Sequence, residues 1–222
     1  MDLGELVEAL KKESSPVKAG KMRAYMRRRF EFLGVSTVHR LEICKPYAAE
    51  SLASGAVDWD FISDCWLSPW REIQYFALEC IYDLRDTLTP ECMPKLKRLI
   101  EVKPWWDTND AIDSIISYVA LKYPELNKTL LEWSKDKSGW VRRVAICHQL
   151  DRRGKTNRDL LTRIIDNNLG STEYYINTAI GRSLREYAKH NPDWVLWYIN
   201  TRKDRLNSVS VKEGSADLQD KS

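Results

Sequence analysis

The sequence predicts an all-α protein, an α-solenoid of stacked HEAT-like helix pairs. Three observations predict it. Only 9 of the 222 residues are Gly, which disfavours a sheet-rich fold with many tight turns. Hydrophobic residues make up 43% and charged residues 30% of the chain, which is the composition of a globular protein that buries a core. Similar residues also recur every 34 positions, the sign of a repeat architecture.

Three sets of residues follow the 34-residue period: two columns of apolar residues and one set of prolines, called here the proline phase. One column is Ala, each followed by Leu or Ile: Ala77, Ala111, Ala145 and Ala179. The other column is Ile62, Leu96, Leu130, Ile164 and Tyr198. The proline phase, suited to the first position of a helix, is Pro90, Pro124 and Pro192. Each repeat therefore contains two helices, which bury their apolar faces by stacking on the next pair.

The register predicts the position of each helix. The pairs are 57–67 with 70–84, 90–102 with 105–122, 124–136 with 139–151, and 157–168 with 172–190. An unpaired helix follows at 192–204, and a looser register upstream gives helices near 18–32 and 37–51. We expect a single HEAT-like repeat domain over 1–206 and a frayed or partly helical C-terminal tail over 207–222.

Composition excludes several classes of function. No apolar stretch is long enough to span a membrane and the N-terminus lacks a signal-peptide apolar block, so we expect a cytoplasmic protein. The five Cys are an odd number and include no CxxC pair, which disfavours disulfides and a thiolate metal site, so they are interpreted as mostly core residues. The three His are too few for a His-rich metal site. Neither GxGxxG nor GxxxxGK is present, so no phosphate-binding loop is predicted. We therefore expect no metal and no cofactor.

Asp110 breaks the register most clearly. Its counterparts in the other repeats are Phe76, Val144 and Thr178, which are bulky and mostly apolar. Burying an unpaired carboxylate costs several kcal/mol. Asp110 must therefore face water, a substrate or a partner, and an ion pair with a neighbouring Arg is the structural alternative.

Trp106 precedes Asp110 by four residues, so the two side chains share one face of a helix. An aromatic ring beside an anion suits a planar cationic ligand. Core packing is the alternative for Trp106, and it is the favoured interpretation for its neighbour Trp105.

Arg143 has Tyr75, Asn109 and Asn177 as register counterparts, and Arg142 adds a second guanidinium beside it. Further basic residues are distributed along the chain: Arg27, Arg28, Arg29, Arg152, Arg153 and Lys155. Such a distribution can follow a phosphate backbone, although a run of charges can also be a solvated helix face. The net charge of +3 alone does not indicate a polyanionic partner.

Five segments in order, "FEFLGV", "WREIQYFALE", "WWDTND", "WVRRVAI" and "AIGRSLREYAKHNP", resemble the AlkD-type bacterial DNA alkylation repair family of HEAT-like glycosylases. The resemblance covers residues from about 20 to 200. It implies a concave basic face that holds duplex DNA as the partner. It also implies excision of cationic N3- or N7-alkylated purines, without a cofactor and with the lesion left stacked.

Matched to this family, Asp110 is the expected catalytic residue and Trp106 the first aromatic wall of the cleft. Arg143 falls on the arginine that positions a phosphate, and Tyr25 on an aromatic that the family places near the DNA. Breaking the glycosidic bond leaves cationic character on the sugar, which a carboxylate stabilises. The basic clusters add Arg142 and Arg27 as expected DNA-binding residues, acting in a monomer.

Arg182 departs from the family pattern, which has a second cleft tryptophan after "AIG". Two hypotheses follow. In the first, Arg182 binds a phosphate and Asp110 stays free, so the protein is an active glycosylase. In the second, Arg182 fills the cleft and pairs with Asp110, and the protein is a non-catalytic repeat protein that binds nucleic acid or a protein partner.

Overall fold

The computed structural model describes residues 2–221, and thirteen α-helices and no β-strand are found among them. The helices are α1 (Leu3–Lys12), α2 (Pro16–Tyr25), α3 (Thr37–Ala53), α4 (Trp59–Leu67), α5 (Arg71–Asp83), α6 (Met93–Glu101), α7 (Trp106–Lys122), α8 (Leu126–Trp133), α9 (Gly139–Cys147), α10 (Arg158–Asp166), α11 (Tyr174–Ala188), α12 (Pro192–Thr201) and α13 (Ser208–Gly214). Met1 and Ser222, the outer ends of the expected domain and tail, lie outside the described residues.

Polar caps determine where many of these helices begin. A side-chain oxygen just before the helix accepts a hydrogen bond from a first-turn N–H, which otherwise has no partner. The capping residues are Asp2, Ser15, Ser36, Asp58, Asn157, Asn191 and Asn207. Pro192 follows its cap at the first position of α12, as the proline phase predicts. The prediction is wrong for the other two prolines, because Pro90 begins a short 3-10 helix before α6 and Pro124 precedes the N-cap of α8.

The described chain divides into two compact units, of which the first ends at Thr89 and the second begins at Pro90. In the first unit, α5 packs against α3 and α4, and α1 packs against α3 and α4.

Neither α1 nor the end of α2 follows the predictions. Helix α1 was not predicted, and α2 ends at Tyr25 instead of continuing to 32. The chain turns there because Arg27 and Arg28 adopt left-handed backbone angles, with φ of 53° and 58°.

In the second unit, helix pairs stack in two layers. Helix α9 packs between α7 and α11, and α8 packs against α10 in the other layer. The second helices begin at Trp106, Gly139 and Tyr174, close to the 34-residue step. The predicted all-α solenoid of stacked helix pairs is therefore confirmed.

Helix α12 has a partner, contrary to the prediction of an unpaired helix at 192–204. Helix α13 begins at Ser208, one repeat after Tyr174, and packs against both α11 and α12. The close approach depends on Gly181, where a Cβ atom would lie 2.5 Å from the Cβ of Glu213. Arg185 of α11 also forms salt bridges with the carboxylates of Glu213 and Asp217.

Both apolar columns lie in the core, where packing rather than solvation determines the residue type. The column of Ile62, Leu96, Leu130, Ile164 and Tyr198 is buried throughout. Ala77, Ala145 and Ala179 are buried as well, and Ala111 is half-buried. All five Cys are buried free thiols, as interpreted from the sequence. None of the described helices combines the length and the apolar character that a membrane crossing requires.

A carboxylate–guanidinium cluster as the candidate active site

Asp110 lies in the second turn of α7, at the boundary between the buried and exposed faces of this helix. Its neighbour Asn109 is fully buried, whereas the Asp110 side chain keeps 34% of its surface exposed. The carboxylate is therefore held by a rigid, packed helix and remains accessible from solvent.

Arg143 approaches Asp110 from α9. Its Nη2 donates to Asp110 Oδ1 at 2.5 Å, and its side chain is only 5% exposed. A buried guanidinium needs an anion to offset its lost hydration. Its Nη1 is buried and has no hydrogen-bond partner among the described residues. The register explains the contact, because Asp110 and Arg143 are 33 residues apart and face each other on adjacent repeats.

Arg182 reaches the same carboxylate from α11. Its Nη1 lies 3.3 Å from Asp110 Oδ1 and 3.2 Å from Oδ2, and its side chain is 38% exposed. Asp110 therefore binds two guanidinium groups. The first hypothesis expected a free carboxylate, and this expectation is wrong for the structure described. The ion pair required by the second hypothesis is present.

Asp113 lies one turn after Asp110 on α7 and is 4% exposed. Burial raises the pKa of Asp113 well above the usual 3.8, and the nearby charge of Asp110 raises it further. Its Oδ2 is buried without a hydrogen-bond partner among the described residues. These conditions favour the protonated, neutral carboxyl. With Asp113 neutral, the cluster of Asp110, Arg143 and Arg182 carries a net charge of about +1.

The two tryptophans at the start of α7 differ in their surroundings. Trp105 is buried, and its ring centroid lies 5.6 Å from that of Trp140 and 5.4 Å from that of Tyr175, in agreement with core packing. Trp106 is half-buried and begins the helix one turn before Asp110. Among the described residues no group of three or more His, Cys, Asp or Glu is arranged to hold a metal ion.

Comparison with known proteins assigns the chain to a family. The sequence model of the DNA alkylation repair enzyme family matches residues 6–218. The chain belongs to this family. A solved structure, a predicted DNA alkylation repair enzyme from Enterococcus faecalis, has 30% sequence identity to the chain and superposes with a TM-score of 0.86. The match covers 93% of this chain and 97% of that one. A comparison with curated proteins finds no match.

The other residues expected to bind DNA in this DNA alkylation repair family member are Arg142, Tyr25 and Arg27, each of which has its own surroundings. Arg142 binds the Glu173 carboxylate and donates to the backbone carbonyl of Asp136. Tyr25 and Arg27 belong to the first unit, where Tyr25 ends α2 and is 70% exposed and Arg27 is exposed in the following turn. The cluster brings together Asp110, Arg143 and Arg182, and their functional roles stay predictions.

Sequence reasoning missed Asp113. The segment "WWDTNDAID" contains a signal for it, because Asp110 and Asp113 are three residues apart and share a helix face. A second carboxyl on that face changes the charge of the cluster, because only one of the two acids needs to be ionised.

Proposed function

We propose that the protein is a DNA glycosylase that hydrolyses the N-glycosidic bond of cationic N3- or N7-alkylated purines in duplex DNA. The observation that carries the proposal is the partly exposed Asp110 carboxylate, one helical turn from the half-buried Trp106. Membership of a DNA alkylation repair enzyme family supports the same reaction class. We further expect a cytoplasmic monomer that needs no cofactor.

In this reaction the bond between the sugar C1′ and the purine nitrogen breaks, and its electron pair leaves with the purine. Because an alkylated purine starts with a positive charge, it departs as a neutral base and needs no general acid. The positive charge that develops on the sugar is stabilised by the Asp110 carboxylate. Water then adds to C1′ and releases a proton, which leaves an abasic site.

Arg182 must first release Asp110. A guanidinium binds phosphate with the same two-pronged geometry as a carboxylate, and Arg182 is exposed enough to exchange one for the other. Arg143 is too buried to follow it. We therefore propose that a DNA phosphate draws Arg182 away, so that Asp110 faces the sugar with Arg143 still in place.

The test is single-turnover incubation of N-methylated duplex DNA with excess protein. We expect release of 7-methylguanine or 3-methyladenine that Asp110→Asn slows by about 10²-fold to 10³-fold. Release that persists unchanged in Asp110→Asn would contradict the assigned role. The absence of release at high protein excess would refute the glycosylase proposal.

The second candidate function is non-catalytic binding of nucleic acid or a protein partner. The contact of Arg182 with both oxygens of Asp110 favours it, because this contact neutralises the carboxylate. Excision by the native protein would reject this candidate. Salt-dependent duplex binding without excision by the native protein, together with excision that appears in Arg182→Trp, would support it. An unchanged rate in Arg182→Trp would count against it.

A further inference from the structure

Four buried polar atoms in and beside the Asp110 cluster have no hydrogen-bond partner among the described residues. They are Arg143 Nη1, Asp113 Oδ2 and the amide atoms Oδ1 and Nδ2 of Asn109. All three residues are buried. Because native proteins pair nearly all of their buried polar groups, these atoms indicate that the cluster has a second arrangement in which they are paired.

Helical spacing makes Asp113 a neighbour of both Asn109 and Asp110 on α7. Asp113 follows Asn109 by four residues and Asp110 by three, so all three side chains meet on one region of the helix surface. From α9, Arg143 binds Asp110 Oδ1, and Asn109 is the counterpart of Arg143 one repeat earlier. Asp113 is therefore next to the ion pair through which Arg143 holds Asp110.

The charged and titratable groups that act on Asp113 come from its own helix, from α9, from α11 and from the short 3-10 helix Leu150–Lys155. They are Asp110, Arg143, Cys147, Arg182 and Asp151. Arg152 of the short helix binds Ser117, one turn beyond Asp113. Helix α6 also packs against α7, and its buried residues are apolar: Met93, Leu96, Leu99 and Ile100.

A neutral Asp113 has the hydrogen-bonding groups that its surroundings need. Burial raises the pKa of Asp113 and the charge of Asp110 raises it further, while Arg143 and Arg182 lower it by less. The neutral carboxyl has a carbonyl acceptor and an O–H donor. The acceptor suits Arg143 Nη1, and the donor suits Asn109 Oδ1.

We propose that Asp113 is a positioning residue of the Asp110 site, where its neutral carboxyl holds the Nη1 side of Arg143 while Arg182 moves to a DNA phosphate. This role rests on the proposed function, which requires Arg182 to leave Asp110. Arg143 then bridges Asp110 and Asp113, so that the Asp110 carboxylate keeps its orientation toward the sugar. Because Asp113 is neutral, the cluster also keeps the positive charge that attracts a phosphate.

The pH dependence of duplex binding tests the charge of Asp113. Fluorescence anisotropy with an unmodified duplex, at constant ionic strength from acidic to mildly alkaline pH, compares the native protein with Asp113→Asn. As pH rises through the raised pKa of Asp113, the new anion holds both guanidiniums more strongly, so the native affinity should fall about fivefold. Asp113→Asn cannot ionise and should keep its acidic-pH affinity throughout.

The matched control is Asp151→Asn, which removes an exposed acid that also acts on Asp113. This variant should keep the pH dependence of the native protein. Equal pH profiles in the native protein and Asp113→Asn would overturn the proposal. The absence of duplex binding at every pH would overturn it as well.

The single-turnover rate tests the acceptor oxygen of Asp113. Asp113→Leu has a similar size but no polar atom, and it should slow excision about tenfold at saturating DNA, because Arg143 is no longer held in place. Asp113→Asn keeps a carbonyl acceptor and should react as fast as the native protein at acidic pH. A native rate in Asp113→Leu would overturn the proposal. Urea denaturation checks the fold of both variants, and the pH profile of Asp113→Asn decides if Asp113→Leu does not fold.

Failure of the glycosylase proposal gives a different result. A protein that releases no base, but whose duplex affinity depends on pH in the native form and not in Asp113→Asn, retains the role of Asp113 and lacks the reaction. A protein that excises bases, with equal pH profiles of binding in the two forms, retains the reaction and lacks this role of Asp113.

Discussion

Arg182 donates from α11 to both carboxylate oxygens of Asp110 on α7, although 72 residues of chain separate them. The pairing occurs beside Arg143, which binds Oδ1 of the same carboxylate from the helix between them. A phosphate that approaches this cluster meets two guanidiniums, whereas a cationic base meets a neutralised acid. In the proposed reaction, competition between a DNA phosphate and the carboxylate for Arg182 would determine whether Asp110 is available for chemistry.

Replacing Arg182 by Trp should increase excision. The pair is partly exposed, and such pairs contribute about 1 kcal/mol or less, so release of the carboxylate should raise the single-turnover rate by up to about fivefold. Arg182→Lys keeps a positive charge and serves as the control, without a comparable gain. A rate that falls in Arg182→Trp would show that the guanidinium assists the reaction.

The same substitution should change the salt dependence of DNA binding. If Arg182 neutralises one phosphate, its loss should reduce the slope of log affinity against log salt concentration by about 0.9. Fluorescence anisotropy with an unmodified duplex measures the slope. Arg158→Ala, which removes another partly exposed arginine, is the matched comparison. An unchanged slope in Arg182→Trp would argue that Arg182 stays on Asp110 in the complex.

Asp110→Asn should impair both the reaction and the fold. Loss of the carboxylate that stabilises the cationic sugar should slow excision by about 10²-fold to 10³-fold. Arg143 would also keep a buried charge without its anion, which should lower the free energy of unfolding by about 1–3 kcal/mol. Asp107→Asn, one residue after Trp106, controls for loss of an acid from the first turn of α7. Urea denaturation and base release measure the two effects separately.

Asp113 should make the protein less stable as pH rises. Because its pKa is raised in the folded state, its stabilising contribution is complete below about the unfolded value of 3.8 and is lost as pH rises through the raised value. In Asp113→Asn this part of the pH dependence should disappear. Urea unfolding across the acidic to mildly alkaline range, with both proteins compared at each pH, tests it. Parallel stability curves would contradict a raised pKa for Asp113.

Gly181→Ala should destabilise the contact between α11 and α13. The new Cβ would lie 2.5 Å from Glu213 Cβ and 3.3 Å from the Ser210 Cα, so the expected cost of overpacking is about 1–3 kcal/mol. Gly20→Ala should instead stabilise the protein, because nothing lies within 4 Å of the position that the new Cβ would take inside α2. There the gain in helix propensity should be about 0.5–1 kcal/mol. Thermal unfolding of both variants measures the difference.

The 34-residue columns predicted most of the second unit because buried positions in stacked helix pairs repeat by geometry. Stacked repeats also bring residues about one repeat apart opposite each other, as the structure shows for Asp110 and Arg143. The end of α2 at Tyr25 could not be predicted in this way. It depends on left-handed backbone angles at Arg27 and Arg28, which their residue type does not favour.

The amino-acid sequence by itself determined the helix repeat, the buried columns and the position of Asp110 beside Trp106. These features depend only on the spacing of residues within one helix or on the 34-residue spacing between neighbouring repeats. Only the tertiary structure decided that Arg182 spans two repeats to reach Asp110, that Asp113 is buried beside them and that α13 completes the last pair. An arginine side chain has many rotamers, and the one it adopts is selected by the charges that neighbouring helices place within its reach. No local pattern in the sequence contains that information.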